Sequence, residues 1–435
     1  MADFTGTEGA DIVPTLLIGP VQGLGDDTIN GLGGDDLLAG YSGNDVISGG
    51  TGADVIIGGI LNVVGGIGDI QLSGVDTADY STSAARVAVL LYETGNLDID
   101  ILGINLGLTG VSTGQGGDAE GDSLIGITNL TGSAHNDYLG GNNNENTLVG
   151  GAGNDGLAGA AGADVLDGGA GTDMADYLIS NAAVNVDLAA GTASGGHAAG
   201  DTLTSIENLR GSAFNDTLTG DAGSNRLSGA DGADTLDGGA GNDQLVGGAG
   251  ADVLIGGEGF DSALYDNAAA GVTASLADAA GNTGDAAGDT YSGIEHLVGS
   301  AFNDVLTGDA AANYLIGQGG DDTLTGGVGA DRLVGGAGAD TFVFSAVADS
   351  RAKVAFDLIT DFSQTDGDHI DVSGITGGSG SFIGSAAFSG DAGEVRFVAG
   401  AEQTNVYIDA NGDGWADGQI RLTGSITLTA DDFVL

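Results

Sequence analysis

Apolar side chains recur along this chain at intervals of nine residues, each enclosed by polar positions. In residues 238–255, GGAGNDQLV is followed by GGAGADVLI, and in residues 326–343, GGVGADRLV is followed by GGAGADTFV. The last three positions of each nonad have the form x-U-x, where U is nearly always Leu, Ile or Val. This form predicts a three-residue strand whose middle side chain points inward. The Gly-rich positions before it predict a tight turn with positive φ.

Two consecutive nonads make one coil of 18 residues, so each turn stacks on the turn two nonads further along, at a strand spacing of about 4.8 Å. The expected fold is therefore all-β: a parallel β-roll solenoid with insertion coils and a C-terminal antiparallel β cap. We expect residues 1–22 to form an N-terminal cap, because Pro14 and Pro20 interrupt the period there. Residues 23–343 form the predicted roll, and residues 344–435 form the predicted C-terminal cap.

Composition adds a strong charge imbalance to this pattern. The 435 residues include 87 Gly, 62 acidic residues against 8 Lys and Arg, and no Cys, which gives a formal net charge of −54. Such a chain repels nucleic acid and anionic membrane surfaces. It has no disulfide or thiolate zinc site, no apolar run long enough to span a membrane, and no ordinary N-terminal secretory signal pattern. Bound cations would relieve the repulsion in a compact fold.

Asp occupies the sixth position of the nonads, where stacked turns would bring carboxylates together with turn carbonyls. Such all-oxygen surroundings suit Ca²⁺ better than Mg²⁺, so we expect several calcium ions. Two groups of copies depart from the pattern: residues 132–140, 211–219 and 299–307 are weak, and Asn146, Asn225 and Asn313 replace Asp. Asp11 is a weaker candidate than the others. The predicted ligands, together with turn carbonyls of the same nonads, are Asp27, Asp36, Asp45, Asp54, Asp137, Asp155, Asp164, Asp173, Asp216, Asp234, Asp243, Asp252, Asp261, Asp304, Asp322, Asp331 and Asp340.

These repeats resemble those of the RTX family, the haemolysin-type calcium-binding nonapeptide repeat proteins. The longer family pattern D-x-[LI]-x4-G-x-D-x-[LI]-x-G-G-x3-D begins at Asp36, Asp155, Asp234, Asp243 and Asp322. The resemblance implies a parallel β-roll with Ca²⁺ held in its turns.

Three similar insertions interrupt the repeats, at about residues 60–131, 174–210 and 262–298. Their lengths change in multiples of nine, so we expect larger coils within the solenoid, with strands near residues 184–188 and 272–276. Tyr80, Tyr177 and Tyr265 recur at matching positions. They are expected to pack over a coil edge, with ligand stacking as the alternative. The apolar, Gly-rich residues 92–113 receive no assignment.

The C-terminal region differs in composition. Segments 394–398, 405–409 and 418–424 alternate in polarity and predict antiparallel strands. Residues 341–375 and the final DDFVL resemble the C-terminal region of serralysin-type proteases, which implies export by a type I ABC secretion machinery. Asp409, Asn411, Asp413 and Asp417 have EF-hand-like spacing without the Glu at position 12, which leaves open either a second calcium loop or a polar hairpin turn.

The sequence offers no convincing catalytic motif. None of the four His lies in HExxH, and the one G-x-S-x-G, around Ser112, lacks the strand–elbow–helix context of a nucleophile. We therefore expect a non-enzymatic, extracellular or cell-surface protein that folds on binding Ca²⁺, with a structural or adhesive role of surface-layer or matrix type. Its partners would be calcium, a second copy of the chain, or a cell surface or polysaccharide. The alternatives are a non-proteolytic RTX exoenzyme or accessory protein acting on polysaccharide, and an ice- or carbohydrate-binding solenoid, which the varied turns disfavour.

Overall fold

A computed structural model describes residues 3–7, 9, 12–13, 25–64, 67–71, 74–101 and 104–435. The chain divides into two compact units, Met1–Gly220 and Asp221–Leu435. Most of the predicted N-terminal cap, Asp11 included, lies outside the described residues. Within it, Asp3–Thr5 and Ile12–Val13 pair in parallel with the first strands of the roll, Thr28–Asn30 and Leu37–Ala39.

The first unit is a β-roll whose short strands alternate between two sheets along the chain. One sheet contains, in spatial order, Asp3–Thr5, Thr28–Asn30, Val46–Ser48, Thr77–Asp79, Asn129–Thr131, Thr147–Ala152, Val165–Ala170, Thr202–Thr204, Thr192–Ser194, Asn185–Asp187 and Thr217–Thr219. The other contains Ile12–Val13, Leu37–Ala39, Val55–Ile57, Ser123–Ile125, Ile104–Gln115, Ala88–Ile101, Tyr138–Gly140, Gly156–Ala158, Met174–Asp176 and Asn208–Arg210. A separate hairpin joins Ile60–Val64 to Ile67–Gln71, and 3₁₀ turns lie at Gly117–Ala119 and Gly196–Ala198.

The register confirms the predicted coil. Leu139 pairs with Leu157, and Leu148 with Leu166, so parallel neighbours are 18 residues apart. The middle residue of each strand is the inward one. These four leucines have no exposed surface. One buried aliphatic side chain per nonad therefore builds the core, and its burial is the main apolar contribution to the stability of each coil.

The second unit continues the same scheme with longer arrays. Its strands form three groups. The first comprises Thr235–Ala240, Val253–Glu258 and Thr290–Ser292. The second comprises Arg226–Asp231, Gln244–Ala249, Ser262–Leu264, His296–Val298, Tyr314–Gly319, Arg332–Ala337 and Leu358–Ile359. The third comprises Thr273–Ser275, Val305–Thr307, Thr323–Thr325, Thr341–Val343, His369–Asp371 and Phe433–Val434.

The insertions contribute strands to the sheets, apart from the separate hairpin of Ile60–Val64 and Ile67–Gln71. Each insertion contains antiparallel pairing, which in the third is an isolated bridge between Thr273 and Thr283. Ala88–Ile101 and Ile104–Gln115 form a long antiparallel pair, which gives residues 92–101 and 104–113 a structure that the sequence did not reveal. Asn185–Asp187 pairs antiparallel with Thr192–Ser194 and parallel with Thr217–Thr219. Thr273–Ser275 pairs in parallel with a regular coil. The strands expected near residues 184–188 and 272–276 are thus present. The simple picture of enlarged parallel coils is incomplete, because a hairpin lets the chain reverse within one sheet.

The C-terminal region closes the second unit. Glu394–Ala399, Gln403–Asp409 and Gly418–Thr423 pair antiparallel, as predicted. Gly418–Thr423 also pairs with Leu358–Ile359 of the roll, and Ser381–Phe382 pairs with Glu394–Ala399. The remaining elements are a short α-helix, Ser373–Thr376, and 3₁₀ turns at Ala279–Gly281, Gly284–Ala286 and Ala430–Asp432. In the described part of the chain, no helix has the length and apolar character needed to cross a bilayer.

Candidate metal sites in the turns

All seventeen Asp predicted from the nonad pattern are buried, with at most 7% of their surface exposed. Each one directly precedes a strand of three or six residues, whose second side chain points inward and anchors the end of the turn. The backbone therefore carries the carboxylate into the stack of turns rather than toward solvent. Burial of so many carboxylates needs compensation, because an ionised group loses its hydration when it leaves water.

One oxygen of most of these carboxylates takes part in a ladder of hydrogen bonds between coils. The main-chain N–H of Asp137 donates to Oδ1 of Asp155 at 2.7 Å, and that of Asp155 donates to Oδ1 of Asp173 at 2.7 Å. Asp304 and Asp322 donate in the same way to Asp322 and Asp340. The ladder sets the orientation of the carboxylates that accept it, and their other oxygen then faces the turn.

The second oxygen, Oδ2, accepts no hydrogen bond at eleven of these residues within the described chain. A buried carboxylate oxygen without a hydrogen-bond donor is rare in folded proteins, and it marks a place suited to a cation or another ligand. The eleven residues are Asp45, Asp54, Asp155, Asp164, Asp173, Asp243, Asp252, Asp261, Asp322, Asp331 and Asp340.

The surroundings of these oxygens suit a hard cation. A Cβ atom placed on Gly238 would overlap Oδ2 of Asp243 and would lie 2.7 Å from the carbonyl oxygen of Gly256, in the next coil. A carboxylate oxygen and a carbonyl oxygen therefore flank one small space that only Gly leaves open. Ca²⁺ takes six or more oxygen ligands in flexible geometry, so the donor set fits calcium.

The raised pKa values of the turn carboxylates also indicate that these sites favour a bound cation. Burial raises the pKa of Asp164 and of Asp322 to about 7, and it raises the pKa of Asp243 to about 6. The neighbouring carboxylate of Asp368 adds to the effect of burial on Asp340, whose pKa is also raised to about 6. Protons and cations therefore both relieve an unfavourable negative charge in the metal-free turns.

The turns of the weak copies have a different arrangement. At Asp304, the main-chain N–H of Ser300 donates to Oδ2, and the Ser300 hydroxyl donates to Oδ1 at 2.9 Å. Ser133 and Ser212 make the same contacts with Asp137 and Asp216. The Asn copies are similar, since the N–H of Asn142 donates to Oδ1 of Asn146 at 2.7 Å. In these turns the protein itself supplies donors to the side chain at the sixth position.

Sequence reasoning missed three carboxylates at the ends of the insertions. Asp122, Asp201 and Asp289 each accept a ladder N–H, from Asp54, Asp164 and Asp252. Their Oδ2 atoms accept the hydroxyls of the three recurrent tyrosines, Tyr80, Tyr177 and Tyr265, at 2.9, 3.1 and 2.7 Å. The tyrosines are buried, as the packing interpretation expects, and they also have this polar role. The recurring Gly-Asp pair at the end of each insertion was the available signal.

Two further carboxylates of the C-terminal region extend the ladders. Asp331 donates its N–H to Oδ1 of Asp357, and Asp340 donates to Oδ1 of Asp368. Oδ2 of Asp357 has no hydrogen-bond partner among the described residues, and burial raises the pKa of this group to about 8. Neither residue belongs to a GGxGxD nonad, so the repeat pattern did not reveal them.

The loop at residues 409–417 is held together by its own main-chain donors. Gly412 and Gly414 donate to the two oxygens of Asp409 at 2.8 Å, and Ala410 donates to Oδ2 of Asp417 at 3.0 Å. Asp413 donates its N–H to Oδ1 of Asn411. Both the calcium-loop and the hairpin-turn interpretations stay predictions. In the described part of the chain, no three His, Asp or Glu side chains converge as a metal cluster.

Comparison with known proteins agrees with the geometry. A family model described as RTX calcium-binding nonapeptide repeat (4 copies) matches residues 22–59, 140–175 and 203–236. Another, described as Peptidase M10 serralysin C terminal, matches residues 234–435. The chain is therefore a calcium-binding β-roll protein of the type I secreted, extracellular kind. It is an RTX protein with a serralysin-like C-terminal region.

Two solved structures are similar to parts of the chain. Both are solution structures of subunits of the mannuronan C5-epimerase from Azotobacter vinelandii. The AlgE6R3 subunit is 31% identical, over 32% of this chain and 76% of that chain, with a TM-score of 0.26. The AlgE6R2 subunit is 30% identical, over 32% of this chain and 91% of that chain, with a TM-score of 0.25. The search of curated proteins gave no match.

Proposed function

We propose that this RTX protein is an extracellular structural or adhesive protein of surface-layer or matrix type, which folds when Ca²⁺ fills its turns after export. The observation that carries the proposal is that the insertions and the C-terminal strands pair into the sheets of the two units. These segments are therefore part of the roll itself. A stack of coils with repeated outward side chains is suited to presenting a regular surface.

Calcium supplies positive charge to the turns when it is bound, and the chain supplies oriented oxygens. In a cytosol with little free Ca²⁺, the buried carboxylates have no counterions and the fold is disfavoured. Outside the cell, ion binding contributes directly to the free energy of folding, because the sites exist only in the folded chain. A chain that is unfolded inside and folded outside suits passage through a narrow export channel.

One face of the second unit supports an adhesive role. His296, Tyr314 and Arg332 occupy equivalent positions on three neighbouring strands. Phe260, with 65% of its surface exposed, stacks on His296 at 6.2 Å between ring centroids, and the guanidinium of Arg332 lies 4.8 Å from the Tyr314 ring centroid. We call these four residues the aromatic–cationic row. Aromatic faces and a guanidinium are the groups that bind sugar rings bearing carboxylates.

The proposal is tested with the whole calcium-loaded protein. Electron microscopy and sedimentation should show calcium-dependent assemblies, or co-sedimentation with an acidic matrix polysaccharide that decreases in the Tyr314→Ala, Arg332→Ala double variant. Thr323→Ala, Thr341→Ala, on another sheet of the same unit, is the matched control. A protein that stays monomeric and does not bind polysaccharide would refute the proposal. Release or chemical conversion of sugar products from the polysaccharide would instead support the exoenzyme alternative.

A further inference from the structure

The second position of each nonad separates the turns into two conformational classes. In the described turns that contain an unpartnered Asp Oδ2, the residue at this position has a positive φ, whether or not it is Gly. Tyr41 and Ala160 have φ of 70° and 67°, and Gly239 and Gly336 have φ of 93° and 105°. We call these turns open. Positive φ is costly for residues with a Cβ, so its recurrence at Tyr41 and Ala160 shows that the turn itself demands it.

In the second class the residue at this position is Ser, Asn or Asp, and none of the six described examples has a positive φ. Its side-chain oxygen accepts the N–H of the residue two positions later: Phe302 donates to Ser300 at 3.1 Å, and Ala311 donates to Asp309 at 2.8 Å. This is the local turn that short polar side chains favour. In this conformation the main-chain N–H at the second position donates to the side chain at the sixth. We call these turns capped. Their second and sixth residues are Ser133 and Asp137, Asn142 and Asn146, Ser212 and Asp216, Asp221 and Asn225, Ser300 and Asp304, and Asp309 and Asn313.

The sixth position itself follows the same division. The eleven open turns all have Asp there, whereas the six capped turns have three Asp and three Asn. An N–H donor is satisfied by the oxygen of either residue, so a capped turn does not require a negative charge. A bound cation, in contrast, requires a negatively charged side chain. The three Asn at the sixth position are therefore compatible with capped turns, whereas an ion site with Asn would lose a charged ligand.

We propose that the second residue of each nonad decides whether its turn binds calcium. Turns with Gly, or with another residue held at positive φ, bind the ion. Turns with Ser, Asn or Asp are closed by protein donors and remain free of it. Asp137, Asp216 and Asp304, which fit the repeat pattern, are on this basis structural residues that do not ligate calcium.

The capped turns lie where a ladder begins. Asp304 accepts the N–H of Val272 from the third insertion and donates to Asp322, which is open. Asp137 likewise accepts from Val87 and donates to Asp155. Tyr hydroxyls close the ends of other ladders, at Asp201 and Asp289. Protein donors take the place of the ion there.

The first test changes one carboxylate at a time within one ladder. Asp304→Asn should leave the number of bound calcium ions per chain unchanged, because Asn accepts the same N–H, as Asn313 does at 2.8 Å. Asp322→Asn, one coil further along, should remove at least one ion. Elemental analysis of the gel-filtered, calcium-loaded protein counts the ions, and circular dichroism checks the fold. Loss of an ion in Asp304→Asn would overturn the proposal, and so would full occupancy in Asp322→Asn.

The second test converts a capped turn into an open one. Ser300→Gly together with Phe302→Gly changes GSAFND to GGAGND, the sequence of the open turn at Asp243. The double variant should bind one additional calcium ion. Ser300→Asn, which keeps a capping side chain as in the turn of Asn142 and Asn146, is the control and should bind the wild-type number. An unchanged count in a folded double variant would contradict the proposal. If that variant does not fold, Asp221→Gly with Asn225→Asp provides the same conversion at another turn.

Discussion

The bond between Tyr177 and Asp201 allows one protein donor to be tested in isolation. The tyrosine has 1% of its surface exposed, and its hydroxyl donates to Oδ2 of Asp201 at 3.1 Å. Tyr177→Phe removes only the oxygen and leaves the ring in place. A hydrogen bond to an ionised group contributes about 1.5–3 kcal/mol. In a unit of roughly 220 residues, each kcal/mol of lost stability lowers the melting temperature by about 2–4 °C, so Tyr177→Phe should lower it by about 3–12 °C.

The pH dependence of this loss has a definite sign. Burial raises the pKa of Asp201 to about 6, while the Tyr177 hydroxyl opposes that rise. The hydroxyl stabilises the charged form, so its contribution is largest above pH 6 and decreases as the carboxyl becomes protonated below it. The destabilisation caused by Tyr177→Phe should therefore be greater at pH 8 than at pH 5.

Thermal unfolding at saturating Ca²⁺, followed by circular dichroism, measures both effects. Asp201→Asn and the double variant complete a cycle that isolates the pair, for which we expect a coupling of at least about 1 kcal/mol. A melting temperature equal to that of wild type, or the same loss at both pH values, would refute the assignment of the hydroxyl as the donor that closes this turn.

Three other predictions concern the ion sites. Excess chelator should convert the β signal in circular dichroism to that of a coil, and retention of β structure would exclude calcium-dependent folding. In chelator, the β signal should return as the pH falls from about 7 to about 4. The fold raises the pKa of Asp164 to about 7 and of Asp243 to about 6, whereas an unfolded Asp titrates near 3.9, so protonation favours the folded state. A β signal that decreases as the pH falls would contradict this reasoning. Gly238→Ala should weaken calcium binding by about 5- to 150-fold in a calcium titration, because the added Cβ has an overpacking cost of about 1–3 kcal/mol. The control is Gly281→Ala, which has open space at its Cβ and should leave the calcium affinity unchanged.

The repeat period alone carries most of the fold. A U residue such as Leu148 predicts its strand, and the 18-residue coil predicts its partner, Leu166. The alternation in residues 394–398 predicts a strand that the structure places at Glu394–Ala399. These features are local or strictly periodic, so they can be derived from spacing. The hairpin between Ala88–Ile101 and Ile104–Gln115 has no such period, and its apolar, Gly-rich composition is compatible with several structures.

Sequence spacing also cannot predict the atomic contacts that distinguish one candidate site from another. Spacing placed Asp243 and Asp304 in one class, because both stand at the sixth position of a nonad. The direction of the N–H at the second position separates them, and that direction depends on φ at Gly239 and on the side-chain turn at Ser300. The pairing of Tyr80 with Asp122 joins residues 42 apart across an insertion, so the nine-residue period of the nonads does not reveal it.

Capping also explains how a chain with a formal charge of −54 can interrupt its repeats without losing the ladder. Next to an insertion, a buried carboxylate with neither a cation nor a protein donor would keep an uncompensated charge. Ser300 at the start of one ladder and Tyr265 at the end of another supply uncharged donors there. Calcium then needs to compensate only the carboxylates between such ends. The carboxylates that directly precede the second and third insertions, Asp173 and Asp261, instead keep an unpartnered Oδ2 that an ion can compensate. Tyr265→Phe, which removes a donor without opening a turn, should therefore destabilise the neighbouring coils even when calcium is saturating.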